Sequence, residues 1–210
     1  MARRRGRGAA SGRTLAAHRG VRVIAGALRG RRLVVPAGEH VRPTKDIVRE
    51  AVFSALDARG VIRDAAVLDL YAGTGALAIE ALSRGAARAV LVEKDAGALA
   101  AIGQNLEQLG LGERARVARL DVARFLGGPP PAEAPFGLVL ADPPYDTSDA
   151  AAGAVVAGLG APGWLTAGAL VVVERPVRSG IAVPDGFRAC WERTFGDTLV
   201  FFVDASEPPN

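Results

Sequence analysis

From residue 65 onward, short apolar runs alternate with helical segments, and this alternation constrains the fold more than any other feature. We predict strands at 65–70, 89–92, 115–120, 136–141 and 169–173, and helices at 76–84, 96–109 and 150–159. Short, nearly uniform apolar strands between helices are typical of a parallel sheet that helices cover on both faces. The pattern therefore predicts a Rossmann-like α/β fold.

The end of the chain departs from this alternation. Residues 187–193 and 198–203 flank the turn Phe195-Gly196-Asp197, which predicts a terminal antiparallel hairpin. Together with the five earlier strands, this hairpin gives a seven-stranded, mainly parallel sheet.

A small extension precedes the alternating region. The runs 22–26 and 32–35 flank Arg29-Gly30 and predict a short β-hairpin. Pro43-Thr44 then opens a helix, since proline is well tolerated in the first helical turn. A length of 210 residues fits one domain. We predict that this single domain covers 21–208, with 21–60 as the hairpin and helix and 61–206 as the main core.

The charge of the chain is strongly asymmetric. Residues 1–38 contain ten arginines and no acidic residue, whereas the rest contains 16 basic and 22 acidic residues. Residues 1–20 are low-complexity sequence, so we predict a disordered basic arm. Such an arm suits a polyanionic partner, because each phosphate that an arginine neutralises releases counterions. A solvated tail that only aids solubility would explain the same counts.

Membrane, secreted and metal-binding classes find no support in the sequence. The apolar runs are shorter than the roughly 18 residues that span a bilayer, and the basic N-terminus lacks the apolar segment of a secretory signal. Cys190, His18 and His40 form no pattern that could bind zinc. We therefore expect a cytoplasmic protein without a metal site or membrane contact.

A glycine-rich turn joins the first predicted strand to its helix. Gly73 and Gly75 let the backbone bend sharply and lie close to a ligand. Glu93 and Asp121 end the next two strands, where they can accept hydrogen bonds from a ribose and from an adenine amine. Because parallel strands of open α/β sheets bind ligands at this edge, we predict a set of cofactor-binding residues: Asp69, Tyr71, Ala72, Gly73, Thr74, Gly75, Glu93, Lys94, Asp121, Val122 and Asp142.

Dinucleotide binding is the main alternative for this turn. Its fingerprint requires a third glycine, and Ala78 occupies that position here. Asp69 precedes the turn, where it would repel a pyrophosphate but could hold a cationic amino-acid group. S-adenosylmethionine carries such a group and no phosphate, so the charges favour this cofactor. Any one strand-end acid could simply be solvated, but three together favour a site.

The fourth predicted strand ends in Asp142, Pro143, Pro144 and Tyr145, which we predict to be the catalytic residues. The prolines stiffen the loop and leave carbonyl oxygens free to accept hydrogen bonds. An exocyclic base amine is a poor nucleophile, and acceptors on its two N–H groups would expose its lone pair. Tyr145 could stack on the base. The alternative is a plain Pro-Pro turn after a buried strand, which the nearby cofactor pattern disfavours.

On these residues the chain resembles the class I methyltransferases, and more specifically the bacterial RsmD family. The resemblance covers about residues 21–203. Its distinctive segments are Arg22-Val23-Ile24-Ala25-Gly26, Arg42-Pro43-Thr44, Val48-Arg49-Glu50-Ala51-Val52-Phe53, the loop from Asp69 to Gly75, Val92-Glu93, the tetrapeptide from Asp142 to Tyr145, and Gly196-Asp197-Thr198.

The resemblance implies methylation of the N2 amine of a guanine in 16S ribosomal RNA. It also implies that Arg42, Pro43 and Thr44 lie near the methionine end of the cofactor, and that the tetrapeptide holds the guanine. Relatives often have threonine where this chain has Lys45, a difference to which the sequence assigns no mechanism. We predict a monomer that acts on ribosomal RNA within a small-subunit assembly intermediate, and RNA contacts from Arg22, Arg29, Arg31 and Arg32.

Two other functions remain open at this point. The same tetrapeptide occurs in adenine-N6 and some cytosine-N4 methyltransferases, so a DNA adenine methyltransferase is one alternative. Such enzymes usually need a separate target-recognition domain, for which 210 residues leave no room. The other alternative is a non-catalytic RNA-binding assembly protein, which the intact loop glycines and tetrapeptide disfavour.

Overall fold

The computed structural model describes residues 20–36 and 43–205. The elements are α1 (Pro43–Ala58), β1 (Ala66–Leu70), α2 (Ala76–Ser83), β2 (Arg88–Glu93), α3 (Ala96–Leu109), β3 (Ala115–Arg119), α4 (Val122–Leu126), β4 (Phe136–Ala141), α5 (Asp149–Leu159), β5 (Leu165–Pro176), β6 (Phe187–Phe195) and β7 (Thr198–Ala205). The predicted arm up to residue 19, Arg42 and residues 206–208 lie outside the described residues.

The strands form one sheet in the order β3-β2-β1-β4-β5-β7-β6. The first five strands are parallel, and β7 lies antiparallel between β5 and β6. This arrangement confirms the predicted seven-stranded, mainly parallel sheet with a terminal antiparallel hairpin. Strand order reverses between β1 and β4, and open α/β sheets bind ligands beside such a reversal.

Two apolar clusters cover the two faces of the sheet. Helices α1, α2 and α3 pack on one face, and α4 and α5 pack on the other. Strand β1 is buried along its whole length because it faces both clusters. This double burial explains why the strands read as nearly continuous apolar runs rather than as alternating ones.

The predicted N-terminal hairpin is present in short form. It has one antiparallel bridge, between Arg22 and Arg32, and backbone hydrogen bonds between its two arms, from the Val23 N–H to Arg31 (2.9 Å) and from the Leu33 N–H to Val21 (2.8 Å). Residues 20–36, here called the N-terminal segment, also dock on α2. The buried Glu80 accepts hydrogen bonds from the backbone N–H groups of Ile24 (2.7 Å) and Ala25 (3.0 Å). A side chain of the core therefore satisfies these two backbone donors.

Most elements end within one or two residues of the prediction, and β5 and α4 differ most, for local reasons. Strand β5 begins at Leu165 rather than at residue 169, and Gly168 adopts a left-handed backbone (φ 68°) within it. The register to β4 shifts in the same region, as expected of a strand with an irregularity. Helix α4 was not predicted, because five residues are too few to show helical periodicity.

The described residues contain neither a membrane-spanning helix nor a cluster of metal ligands. Within 20–36 and 43–205, no helix is long and apolar enough to cross a membrane. Among the same residues, no group of three or more His, Cys, Asp or Glu side chains could hold a metal ion.

Candidate active site

A cavity of about 400 Å³ opens at the carboxyl ends of the central parallel strands. The loop after β1 and the tetrapeptide after β4 both line it, so the two predicted corners face one crevice. Further lining comes from α1, from β5 and from the N-terminal segment. The predicted residues in the lining are Tyr71, Ala72, Gly73, Thr74, Glu93, Lys94, Asp121, Val122, Asp142, Pro143, Pro144 and Tyr145.

The two glycines of the loop have different surroundings. Gly73 lines the cavity, and among the described residues a Cβ there would meet only the Tyr71 carbonyl oxygen, at 4.0 Å. Gly75 is not among the lining residues. Its backbone is left-handed (φ 79°), and a Cβ would lie 3.0 Å from the Leu91 side chain on β2. Gly75 thus serves close packing of the loop on the sheet, a role that the sequence did not predict.

Glu93 holds the loop in place. Its Oε2 accepts a hydrogen bond from the Gly73 N–H at 2.8 Å. Its Oε1 accepts from the N–H groups of Lys94 (2.7 Å) and Asp95 (2.8 Å). The loop also contains Tyr71 in the left-handed region (φ 63°), which costs an L residue about 1–2 kcal/mol. The Glu93 carboxylate thus fixes a strained loop at the cavity wall.

Asp121 lies at the rim of the cavity with a cation beside it. Its Oδ2 is 2.9 Å from the Lys94 Nζ, and its Oδ1 accepts from the Ala123 N–H at the start of α4. The hydrogen bond from Lys94 lowers the pKa of Asp121. The side chain therefore stays an ionised acceptor, as contact with an adenine amine would require.

Asp69 is fully buried and does not line the cavity. Its Oδ2 accepts from the Ala78 N–H in α2 at 3.0 Å, while its Oδ1 has no hydrogen-bond partner among the described residues. Burial raises the pKa of Asp69 to about 8. The predicted contact between Asp69 and a cationic ligand group stays a prediction.

The tetrapeptide presents an acid and an aromatic ring to the cavity. The Asp142 Oδ2 accepts a hydrogen bond from the Lys45 Nζ at 2.9 Å, and the Asp142 side chain is 32% exposed. Tyr145 is 47% exposed and lines the cavity. Pro143 is buried and Pro144 is exposed. The arrangement can hold a flat polar group against the cavity.

Charged residues of α1 and β5 complete the lining and were not predicted from the sequence. They are Lys45, Asp46, Arg49 and Glu174. Burial, with the nearby Asp142 carboxylate as the next cause, raises the pKa of Glu174 to about 8. A single acid after the apolar run 169–173 was the signal that could have identified it.

The residues predicted from the family resemblance are only partly described. Pro43 and Thr44 begin α1, but their side chains, like Arg42, lie outside what the structure describes. The four predicted RNA-binding arginines, all in the N-terminal segment, are exposed: Arg22, Arg29, Arg31 and Arg32. Val21 and Val35 of the same segment line the cavity, so these arginines belong to a segment that borders the site.

Comparison with known proteins gives consistent matches. The family described as conserved hypothetical protein 95 matches residues 21–204. Ribosomal RNA small subunit methyltransferase D of Escherichia coli is 38% identical over 177 residues, covering 84% of this chain and 85% of that one. The protein of the same name from Haemophilus influenzae is 34% identical, covering 84% and 89%. The solved structure of the candidate methyltransferase yhhF from Escherichia coli has a TM-score of 0.78 at 37% identity, covering 89% and 98%.

Proposed function

The chain belongs to the conserved hypothetical protein 95 family, in agreement with its resemblance to RsmD, and on this premise we propose that it is an S-adenosylmethionine-dependent methyltransferase of ribosomal RNA. Within that activity, we propose that it methylates the exocyclic N2 amine of a guanine in small-subunit RNA. The observation that carries the proposal is the single cavity shared by the Gly73 loop and the Asp142 corner.

The charges of the cavity fit this cofactor. Five acidic and three basic side chains line the site. Glu174 is mostly protonated at neutral pH because its pKa is about 8, and the other four carboxylates still outnumber the three cations, which favours a cationic ligand over a pyrophosphate. Glu93 and Asp121 would hold the ribose and the adenine, and the open space at Gly73 admits a ligand close to the backbone. When bound, S-adenosylmethionine supplies an electrophilic methyl group on a sulfonium.

The chain's own groups act on the amine. The Asp142 carboxylate and the Pro143 carbonyl would accept its two N–H hydrogens, which makes the nitrogen pyramidal and turns its lone pair outward. Once methylated, the nitrogen carries an extra proton, and Asp142 is the acceptor at hand. Positioning and electrostatics of this kind supply the rate without a covalent enzyme intermediate.

Lys45 contacts the Asp142 carboxylate at the tetrapeptide. Its ammonium is bonded to the Asp142 Oδ2, which leaves Oδ1 for the first N–H of the substrate. The pairing also offsets the repulsion between Asp142 and the neighbouring Glu174. We propose that Lys45 is a positioning residue that holds the Asp142 carboxylate in one orientation before the base arrives.

The proposal is tested by naming the methylated nucleoside. Purified protein is incubated with labelled S-adenosylmethionine and either small-subunit RNA from a strain lacking the enzyme or duplex DNA. We expect label only in the RNA, as N2-methylguanosine in mass spectrometry of its nucleosides. Label in N6-methyladenosine of the DNA would instead support an adenine methyltransferase. Failure to bind S-adenosylmethionine in calorimetry would support a non-catalytic assembly protein.

We also propose that the substrate is an immature small-subunit particle in the cytoplasm and that the enzyme acts as a monomer. A base of folded RNA must leave its stack to enter the cavity, which is easiest before assembly is complete. Comparing naked RNA, immature particles and mature subunits as methyl acceptors tests the proposed substrate. Sedimentation of the active protein tests whether it is a monomer.

A further inference from the structure

A second cavity, of about 290 Å³, lies beside the first and shares Tyr145 with it. The other residues in its lining are Pro176 at the end of β5, Val177 and Arg178 just after it, and Asp197 in the turn between β6 and β7. None of these four residues was predicted to belong to a site, although Gly196-Asp197-Thr198 is one of the segments that carry the family resemblance.

The antiparallel hairpin brings Asp197 to this edge of the sheet. Because β7 runs opposite to β5, its first residue, Thr198, pairs with the last residue of β5, Pro176. The Val177 N–H donates to the Asp197 carbonyl oxygen at 2.9 Å, which fastens the turn to the end of β5. The turn is therefore held on the same side as the carboxyl ends of the parallel strands.

The second cavity has the chemistry of a site for a polar, flat ring. Tyr145 and Val177 are 47% and 43% exposed, unusual for large apolar side chains among the described residues. They offer apolar surface against which a ring can stack. Asp197 adds a hydrogen-bond acceptor and Arg178 adds a donor. Small-molecule sites combine apolar walls and a few polar groups in this way.

Guanine matches this set of groups better than adenine does. Its Watson–Crick edge presents two adjacent donors, N1–H and the N2 amine, next to the O6 acceptor. A carboxylate accepts from N1–H, and an arginine donates to O6. Adenine has an acceptor at N1 and an amine at position 6, so the same two side chains would face it with the wrong polarity.

We propose that the second cavity receives the ring of the target guanine, and that Asp197, by accepting its N1–H, selects guanine over adenine. Tyr145 is the shared wall, so a ring stacked there would extend its N2 amine toward Asp142 in the first cavity. Arg178 faces O6 in this arrangement. This inference rests on the proposed function and adds to it the residues that decide the base.

The test replaces Asp197 by asparagine and uses a base analogue. Small-subunit RNA is assembled by ligation with either guanine or 2-aminopurine at the methylated position. The analogue keeps the 2-amino group but has an acceptor at N1 and no O6. The matched control is Glu192→Gln, which removes one exposed acid from the same hairpin, away from the turn.

For the unchanged protein we expect a kcat/KM that is higher for guanine than for 2-aminopurine. In Asp197→Asn the ratio should fall on the order of ten-fold or more, because the amide can donate to the N1 acceptor of the analogue. Glu192→Gln should keep the original ratio, and all three proteins should bind S-adenosylmethionine equally in calorimetry.

An unchanged ratio in Asp197→Asn would overturn this inference and would indicate that another part of the RNA occupies the cavity. It would leave the proposed function intact, since guanine would still be methylated. If the unchanged protein methylates neither RNA, the proposed function itself fails, and the assignment of the second cavity fails with it.

Discussion

At the scale of single residues, the proposed catalytic corner has one carboxylate, Asp142, with the Lys45 ammonium bonded to one of its oxygens. The Lys45–Asp142 pair is half exposed, so its contribution to stability is small. The ion pair instead orients the Asp142 carboxylate, and an acceptor that is already fixed loses little conformational freedom when the amine binds. Asp142 is thus the residue at which activity and cofactor binding should separate most clearly.

We predict that Asp142→Ala lowers kcat on the order of a hundred-fold or more, because a transition-state acceptor is removed. Affinity for S-adenosylmethionine should change little, since the proposed contact of the carboxylate is with the substrate amine. Single-turnover methylation and calorimetry measure the two effects. Asp146→Ala, an exposed acid outside the cavity lining, is the control and should retain activity. Near-normal turnover in Asp142→Ala would exclude the proposed role.

Lys45 gives a prediction about catalysis. Lys45→Met should lower kcat, because Asp142 then lacks the cation that holds its carboxylate in place. Lys94→Met removes a similar ion pair at the cofactor rim and should raise the KM for S-adenosylmethionine instead. Identical effects of the two substitutions would argue against a positioning role for Lys45.

The buried Asp69 predicts how stability depends on pH. Its pKa is raised from 3.8 to about 8, so the folded protein keeps a proton that the unfolded chain releases. This contribution is therefore fully present below about pH 4 and is lost as the pH rises to 8. In cofactor-free Asp69→Asn, we expect the free energy of unfolding to fall less between pH 5 and pH 8. Urea unfolding at both values measures it, and an equally steep fall would contradict the prediction.

The sequence predicted the site unevenly, for a physical reason. The loop is one continuous segment and so is the tetrapeptide, so the chemistry of each could be recognised directly in the sequence. Lys45 and Glu174 reach the cavity from α1 and β5, and only tertiary packing shows that they meet Asp142. Asp197 had a recognisable motif but no recognisable role, because its position depends on the pairing of β5 with β7.

At the scale of elements, helix α3 and strand β4 have the bounds that the sequence predicted. The limits of both elements are set locally. Strand β4 is a uniformly apolar run, and Asp95 and Gly110 cap α3. The hairpin of the N-terminal segment was predicted, but its docking was not, because the docking depends on acceptors in α2. Buried Glu80 and Ser83 determine its path, and no local pattern reveals them.

Docking of the N-terminal segment predicts a strong effect at Gly26. A Cβ there would lie 1.9 Å from the Ser83 carbonyl oxygen, and the backbone is left-handed (φ 79°). Gly26→Ala should lower the free energy of unfolding by more than the roughly 1–2 kcal/mol of the backbone term alone. Gly30→Ala is the control: its φ is 82°, with open space around it. Equal destabilisation of the two variants in urea unfolding would show that the contact with Ser83 is unimportant.

At the scale of the whole molecule, basic and acidic residues are separated along the chain. The arginines of residues 1–20 precede an N-terminal segment that borders the cavity. We predict that deletion of residues 1–20 weakens RNA binding and flattens its dependence on salt, by about 0.7–0.9 in slope for each phosphate that is no longer neutralised. Filter binding at several salt concentrations measures the slope. An unchanged slope would assign the arm to solubility alone.

The place of β7 in the sheet has a consequence for biosynthesis. Strand β5 carries buried valines and is paired with β4 on one side only until β7 inserts on the other. A nascent chain whose translation has not passed residue 198 therefore exposes an unpaired apolar strand edge to its neighbours. The sheet closes only after β7 has left the exit tunnel and paired with β5, so until then this strand edge is the part of the sheet most in need of protection from aggregation.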